Sequence, residues 1–315
     1  FIVTGVMEML KTRNNSIEIM RIICAYMVVI IHTNLFYDTN LKTIYFFTQR
    51  FARLAVPFFF VVSGYFYINS LENNNHNCYK YIKRLLVPYS LWSILYFTID
   101  YISFNGSNKA FIKRIIINFF IEGSFYHLWF IPALIICVLV VTVSYKIGIF
   151  KKLAYISILL YIVGLLGTSY YSVGSKIPVL NVLFDLKCFN VIKRIFLMGL
   201  PFFMLGYFIK RINFNNYKTK YLIIALILFI IEVLFLNNVL MAKSMRLTIG
   251  LYLLAGNILL YCIKNPFLQC KFKCNNLAVI SRFIYFSHAV IIIFLDKIFN
   301  FGSIITFLLV TAISN

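Results

Sequence analysis

Acidic residues are scarce. Nine Asp and Glu stand against 30 Lys and Arg, and all charged residues make up only 12% of the 315 positions. A soluble domain carries about 25%. Tryptophan is represented twice, proline six times and glycine 13 times. No internal repeat or soluble domain stands out. The seven cysteines are scattered and odd in number, which argues against a disulfide framework. Cys270 and Cys274 form a CxxxC with no His or second Cys pair nearby, so no metal site is expected.

What fills the chain instead is apolar. Hydrophobic residues reach 62%, with a mean hydropathy of +0.89. A water-soluble globule of this composition would expose large apolar patches. A cytosolic enzyme, a secreted scaffold and a disordered chain are therefore excluded, and a polytopic integral membrane bundle of all-α class remains. Phe (34) and Tyr (22) are abundant. With Ile, Asn and Lys also frequent, that bias fits an AT-rich genome, so single tyrosines are not read as sites. The net charge of +21 sits mostly in short loops between apolar runs. That pattern orients membrane proteins and does not indicate nucleic-acid binding. The first apolar run passes into polar and then spanning sequence, so no cleavable leader is expected.

A helix needs about 20 apolar residues to cross a bilayer. The sequence predicts about ten spans: 17–36, 44–69, 85–104, 127–146, 153–171, 191–210, 221–238, 246–263, 277–297 and 301–314. Segment 109–122, with basic residues beside an apolar stripe, is expected to lie in the interface. Residues 1–16 are expected to form a cytoplasmic N-terminal segment, and 17–315 one transmembrane domain. Any following soluble domain is expected to be absent. Alternate loops carry 15 and 11 of the Lys and Arg residues. The bias predicts both termini in the cytoplasm of a bacterial plasma membrane, with 70–84 and 211–220 also inside.

Several charges fall within the spans: Glu18 and Arg21 in the first, Arg50 and Arg53 in the second, Asp100 in the third, Glu232 in the seventh and Arg282 in the ninth. An ionisable group at that depth costs at least ~2.5–3.5 kcal/mol, so it usually faces a polar cavity. The spans hold too few acids to pair the four arginines. Arg21 and His32 are eleven residues apart, close to three helical turns. They share a face about 16 Å apart, and Glu18 is nearly on it. His288 is expected at the depth of His32, with Arg282 deeper toward the cytoplasm. His127 opens the fourth span, followed by Trp129. Arginines toward the cytoplasm suit a phosphate-bearing donor, and a neutral His can deprotonate a hydroxyl or amine. Spacing alone identifies neither molecule.

The motifs, taken in order, resemble the membrane-bound acyltransferase-3 family. RNNSIEIMRIICAYMVVIIH supplies Arg13, Glu18, Arg21 and His32, with Glu where the family more often has Asp. RLAVPFFFVVSGYF follows from Arg53 through Pro57, Ser63 and Gly64, then a basic stretch with Lys83 and Arg84 leading to LLVPY with Pro88. YHLWFIPA holds His127, Trp129 and Pro132. GLPFFMLGYF begins at Gly199, and SRFIYFSH ends at His288. Within the family, VPFFFVVSGYF, FYHLWFIPA and LYIVGLLG resemble the membrane domain of VanT-type serine racemases of vancomycin resistance.

The resemblance implies transfer of an acyl group from cytoplasmic acyl-CoA to an extracytoplasmic hydroxyl or amine, with no tightly bound cofactor. Pyridoxal phosphate would belong only to a racemase domain outside this chain. His32 and Glu18 are then the expected catalytic residues, and Arg21, Arg53 and Arg282 the donor-binding ones. Arg50, His127, Trp129, Glu232 and His288 would line the acceptor cavity. The bilayer, acyl-CoA and a small acceptor are the expected partners. The alternatives are a module that supplies L-serine to a racemase, or a degenerate membrane anchor.

Overall fold

In hydrocarbon no water is available to the peptide groups, so a spanning chain must satisfy them within a helix. The computed structural model describes residues 14–74, 77–242, 244–266, 274–299 and 301–314, and among these it is helical with no strand. Most of the expected N-terminal segment, with Arg13, and Cys270 of the CxxxC lie outside the described residues. Among the described residues, six helical segments are long and apolar enough to cross a membrane: Asn15–His32, Lys42–Glu72, Cys78–Ile102, Phe189–Lys210, Lys220–Asn238 and Leu277–Ile298. Shorter apolar helices occupy Phe130–Lys146, Ile249–Lys264 and Ser303–Ile313, and Phe150–Leu166 stands where the fifth span is expected. Helix is thus found at all ten expected places.

The chain divides into two compact units. The first holds the residues up to Phe59, Ile212–Glu232 and those from Gly250 onward. Its frame is α1 (Asn15–His32). The Asn14 side chain accepts from the Ile17 amide at 3.1 Å and caps it. Asn14 also donates to the Cys262 carbonyl (2.9 Å), and Ser16 donates to that of Asn265. Both tie the start of α1 to the end of the helix Ile249–Lys264. A second long helix, Cys274–Ile298, follows soon after that point. At the other end of α1, the Phe36 amide donates to the Ser303 hydroxyl at 3.1 Å, just past the far end of Cys274–Ile298. The two long helices therefore run parallel, with Ala25, Val29, Ile284, Ile292, Leu295 and Val310 in one buried cluster.

The expected span 44–69 is broken in two. Helix α2 (Lys42–Ala52) and helix α3 (Ala55–Glu72) meet at a turn of Arg53 and Leu54. Pro57 explains the break. It has no N–H for the carbonyl four residues earlier, which is Arg53, and its ring crowds that carbonyl. The Arg53 and Leu54 amides fall back on tighter bonds to Arg50 (3.3 Å) and Phe51 (3.0 Å).

The second unit comprises Phe60–Arg211 and Val233–Ile249. Without a hydrophobic driving force between helices in lipid, close backbone approach at small residues holds them together. Here a Cβ on Gly64 would collide with the Phe203 carbonyl, and one on Gly206 with the Tyr65 backbone. Tyr161 donates to the Thr248 carbonyl at 2.8 Å and Ser169 to that of Leu247, so the stretch before Ile249 is fastened to α4 (Phe150–Leu166) and the turn after it. Segment 109–122 becomes a helix over Asn108–Ile117 and then a π-helical turn, Asn118–Glu122. Ile112, Ile116 and Phe120 are exposed along it.

Candidate active site

In the first unit, His32 closes α1 and His288 lies on Cys274–Ile298. Their rings stack with centroids 5.3 Å apart and planes 25° from parallel, so the two share one level. His288 is fully buried. Its Nδ1 lies 2.8 Å from the Tyr285 carbonyl and 3.1 Å from that of Ile284. A carbonyl only accepts, so Nδ1 carries the proton, and in the neutral ring Nε2 bears the lone pair.

Three helical turns toward the start of α1, Glu18 and Arg21 form an ion pair of 2.8 Å, with the carboxylate 6% and the guanidinium 28% exposed. The second oxygen of Glu18 is buried without a hydrogen-bond partner. Glu18 and His32 are fourteen residues apart, about 21 Å of helix rise. Glu18 therefore cannot orient the imidazole directly. It holds Arg21 instead.

Helix α2 brings further cations to the His32 end. Gln49 donates to the Ile30 carbonyl at 3.2 Å, which sets the last turn of α2 beside the last turns of α1. Arg50 lies 4.9 Å above the Phe46 ring, and its Nε is buried without a hydrogen-bond partner. Arg53 stands half-buried in the turn that Pro57 creates. Between α1 and α2 runs an open apolar groove of about 400 Å³, lined by Met27, Ile30, Phe47 and Phe51 among others.

Two expected residues are placed differently. Arg282 is exposed, with Nε donating to the Ala278 carbonyl at 3.0 Å. Glu232 accepts from the Gly250 amide at 2.6 Å at the start of Ile249–Lys264, a favourable partner for a helix N-terminus.

His127 and Trp129 belong to the second unit and precede their helix, which begins at Phe130. His127 is buried, edge-on to Tyr96 at 5.2 Å. The turn before them is held by Gly123, whose φ of +92° suits glycine alone and whose missing Cβ admits the Trp129 backbone. Arg194 lies 5.4 Å over the Trp129 ring. In the sequence Arg194 borders an apolar run and counts among the loop charges. The available signal was Pro201, which cannot donate four residues back and so disturbs the helical ladder before it. A π-helix duly occupies Lys193–Gly199.

The acyltransferase-3 family model, an acyltransferase domain, matches residues 14–314. An amino-acid racemase of Enterococcus faecalis is 31% identical over 97% of this chain and 45% of its own length. A second from the same organism is 32% identical over 66% of this chain and 30% of its own. A serine/alanine racemase of Enterococcus gallinarum is 29% identical over 53% and 25% respectively. The chain thus spans less than half the length of these relatives. No solved structure matches it.

Proposed function

The chain belongs to the acyltransferase-3 family, and on that premise we propose that it is a bacterial plasma-membrane domain that transfers an acyl group from cytoplasmic acyl-CoA to an extracytoplasmic hydroxyl or amine. The observation that carries this reading is the His32–His288 stack at one end of α1, three helical turns from the Glu18–Arg21 pair. His32 takes the proton of the acceptor O–H or N–H as that atom bonds to the thioester carbon. The C–S bond breaks, and CoA leaves as its thiol once the proton has passed to sulfur. His288, its Nδ1–H held by backbone carbonyls, positions His32 by stacking. Arg50 and Arg53 supply positive charge where the carbonyl oxygen becomes anionic. Arg21, kept in place by Glu18, binds donor phosphate from the cytoplasmic side. The groove between α1 and α2 suits an acyl chain. Both termini face the cytoplasm.

A second reading rests on the names of the relatives. They are named amino-acid and serine/alanine racemases, which connects this domain with the supply of an amino acid. In that case it delivers L-serine to a pyridoxal-phosphate racemase domain. Binding of CoA to the purified domain separates the two. Micromolar CoA binding, weakened at least tenfold by Arg21→Gln, supports transfer. L-serine binding without any CoA binding supports delivery.

A further inference from the structure

Among the described residues, the second unit gathers three cations around one acid. Lys193 and Arg194 open the π-helical turn at the start of the membrane-crossing segment Phe189–Lys210. Arg246 lies close enough to repel both, and Glu122 is the carboxylate that attracts Arg194. The geometry is fixed. Arg194 rests on Trp129, and Lys193 donates to the Asn190 side chain at 2.8 Å and lies 5.3 Å over Phe189. Arg246 precedes Leu247 and Thr248, whose carbonyls are bonded by Ser169 and Tyr161. Lys193 and Arg194 are half-buried, whereas Arg246 and Glu122 are exposed, so the cluster opens to the surface. One carboxylate leaves two positive charges without compensation.

We propose that Lys193, Arg194 and Arg246 form a binding site for the phosphate of an anionic phospholipid headgroup. Three features favour a lipid over a free anion. The cluster stands where a membrane-crossing helix begins, which is headgroup depth. It lies seventeen residues, about 25 Å of rise, from Lys210 at the other end of that segment, where Lys210 and Arg211 are already paired with Glu72 at 2.8 Å each. Close in sequence to Glu122, Trp129 and Arg246 stand exposed apolar side chains, Phe120, Tyr126, Val239 and Ile249, which suit contact with acyl tails. Arginine binds phosphate through its planar fork and lysine as a point charge. The three cations belong to the second unit and take no part in the transfer step proposed above.

The test uses the full chain in nanodiscs of mixed phosphatidylglycerol and phosphatidylcholine, with retained lipid counted by native mass spectrometry after partial delipidation. The wild type retains phosphatidylglycerol preferentially. Arg194→Gln and Arg246→Gln each lower the preference roughly fivefold, and Arg194→Lys restores part of it. Lys151→Gln/Lys152→Gln, which removes two exposed charges elsewhere, leaves it unchanged. Melting temperatures close to wild type show that the variants are folded. No preference in the wild type overturns the proposal, and so does an equal loss in the Lys151/Lys152 control. Displacement of the retained lipid by millimolar inorganic phosphate overturns the lipid headgroup as the occupant.

Discussion

His32 and His288 stack ring on ring, 5.3 Å between centroids, at one level of two parallel helices. Two imidazoles this close cannot readily both be charged, so a proton taken by one must leave the other neutral. His288→Phe keeps the stack and removes the backbone-held N–H. It is expected to lower turnover less than His32→Ala while leaving donor KM near wild type. His288→Ala removes the stack and is expected to cost more than His288→Phe. Steady-state kinetics of the three variants check the order.

The Glu18–Arg21 pair predicts a stability pattern. Arg21→Ala leaves a nearly buried carboxylate uncompensated, and breaking such a pair from one side costs up to about 3–5 kcal/mol. The 28% exposure of Arg21 places the effect in the lower part of that range. The double variant Glu18→Ala/Arg21→Ala is expected to be more stable than Arg21→Ala alone. Thermal melts of the purified domain in one detergent compare them.

Gly64 faces the Phe203 carbonyl where α3 passes the helix Leu200–Lys210, and nothing larger than hydrogen fits. Gly64→Ala is expected to destabilise by about 1–3 kcal/mol, the range for overpacking. Gly148, with no neighbour within 4 Å of an added Cβ, has no such clash, though its φ of +77° makes Gly148→Ala strained in backbone alone. Melts of both variants separate steric from conformational cost.

Asp38 carries a pH-dependent contact. The Ser303 side chain and then its backbone N–H donate to the Asp38 carboxylate and hold its pKa below the usual aspartate range. A depressed carboxylate pKa gives stability that is complete above the ordinary aspartate value and is lost as pH falls through the lowered one. Asp38→Asn is therefore expected to be less stable than wild type at neutral pH, with the difference in melting temperature shrinking in acid below about pH 4. A pH series of melts on both proteins measures it.

Orientation is testable in intact cells. With both termini inside, Asn108→Cys in a cysteine-free background is labelled by an impermeant thiol reagent and Asn215→Cys is protected. Both positions are exposed, so only the membrane separates them. The reverse pattern inverts the topology.

Much of this molecule was legible because bilayer physics is blunt. Ten apolar runs became helix at ten places, and the matched depth of His32 and His288 followed from helical rise alone. The break at Arg53 was less visible because hydropathy averages over Pro57, whose effect is felt four residues earlier. Arg194 was missed because Lys193 and Arg194 border an apolar run and score as loop charges. Only the π-helical turn and the Trp129 ring give Arg194 a defined place. Arg282, an arginine inside a span by sequence, is exposed in the fold because helical phase alone does not say which side its neighbours cover.

If His32 is the base for acyl transfer, its loss must show in the release of the CoA thiol. Full-length chain in nanodiscs is given acetyl-CoA and host membrane extract as the source of acceptor, and free CoA is followed with a thiol reagent. Loss of a general base costs about 10²–10⁴ in rate. His32→Ala is expected to lower CoA release by at least about a hundredfold while its CoA affinity stays within about twofold of wild type. Release by His32→Ala at near-normal rates would contradict it.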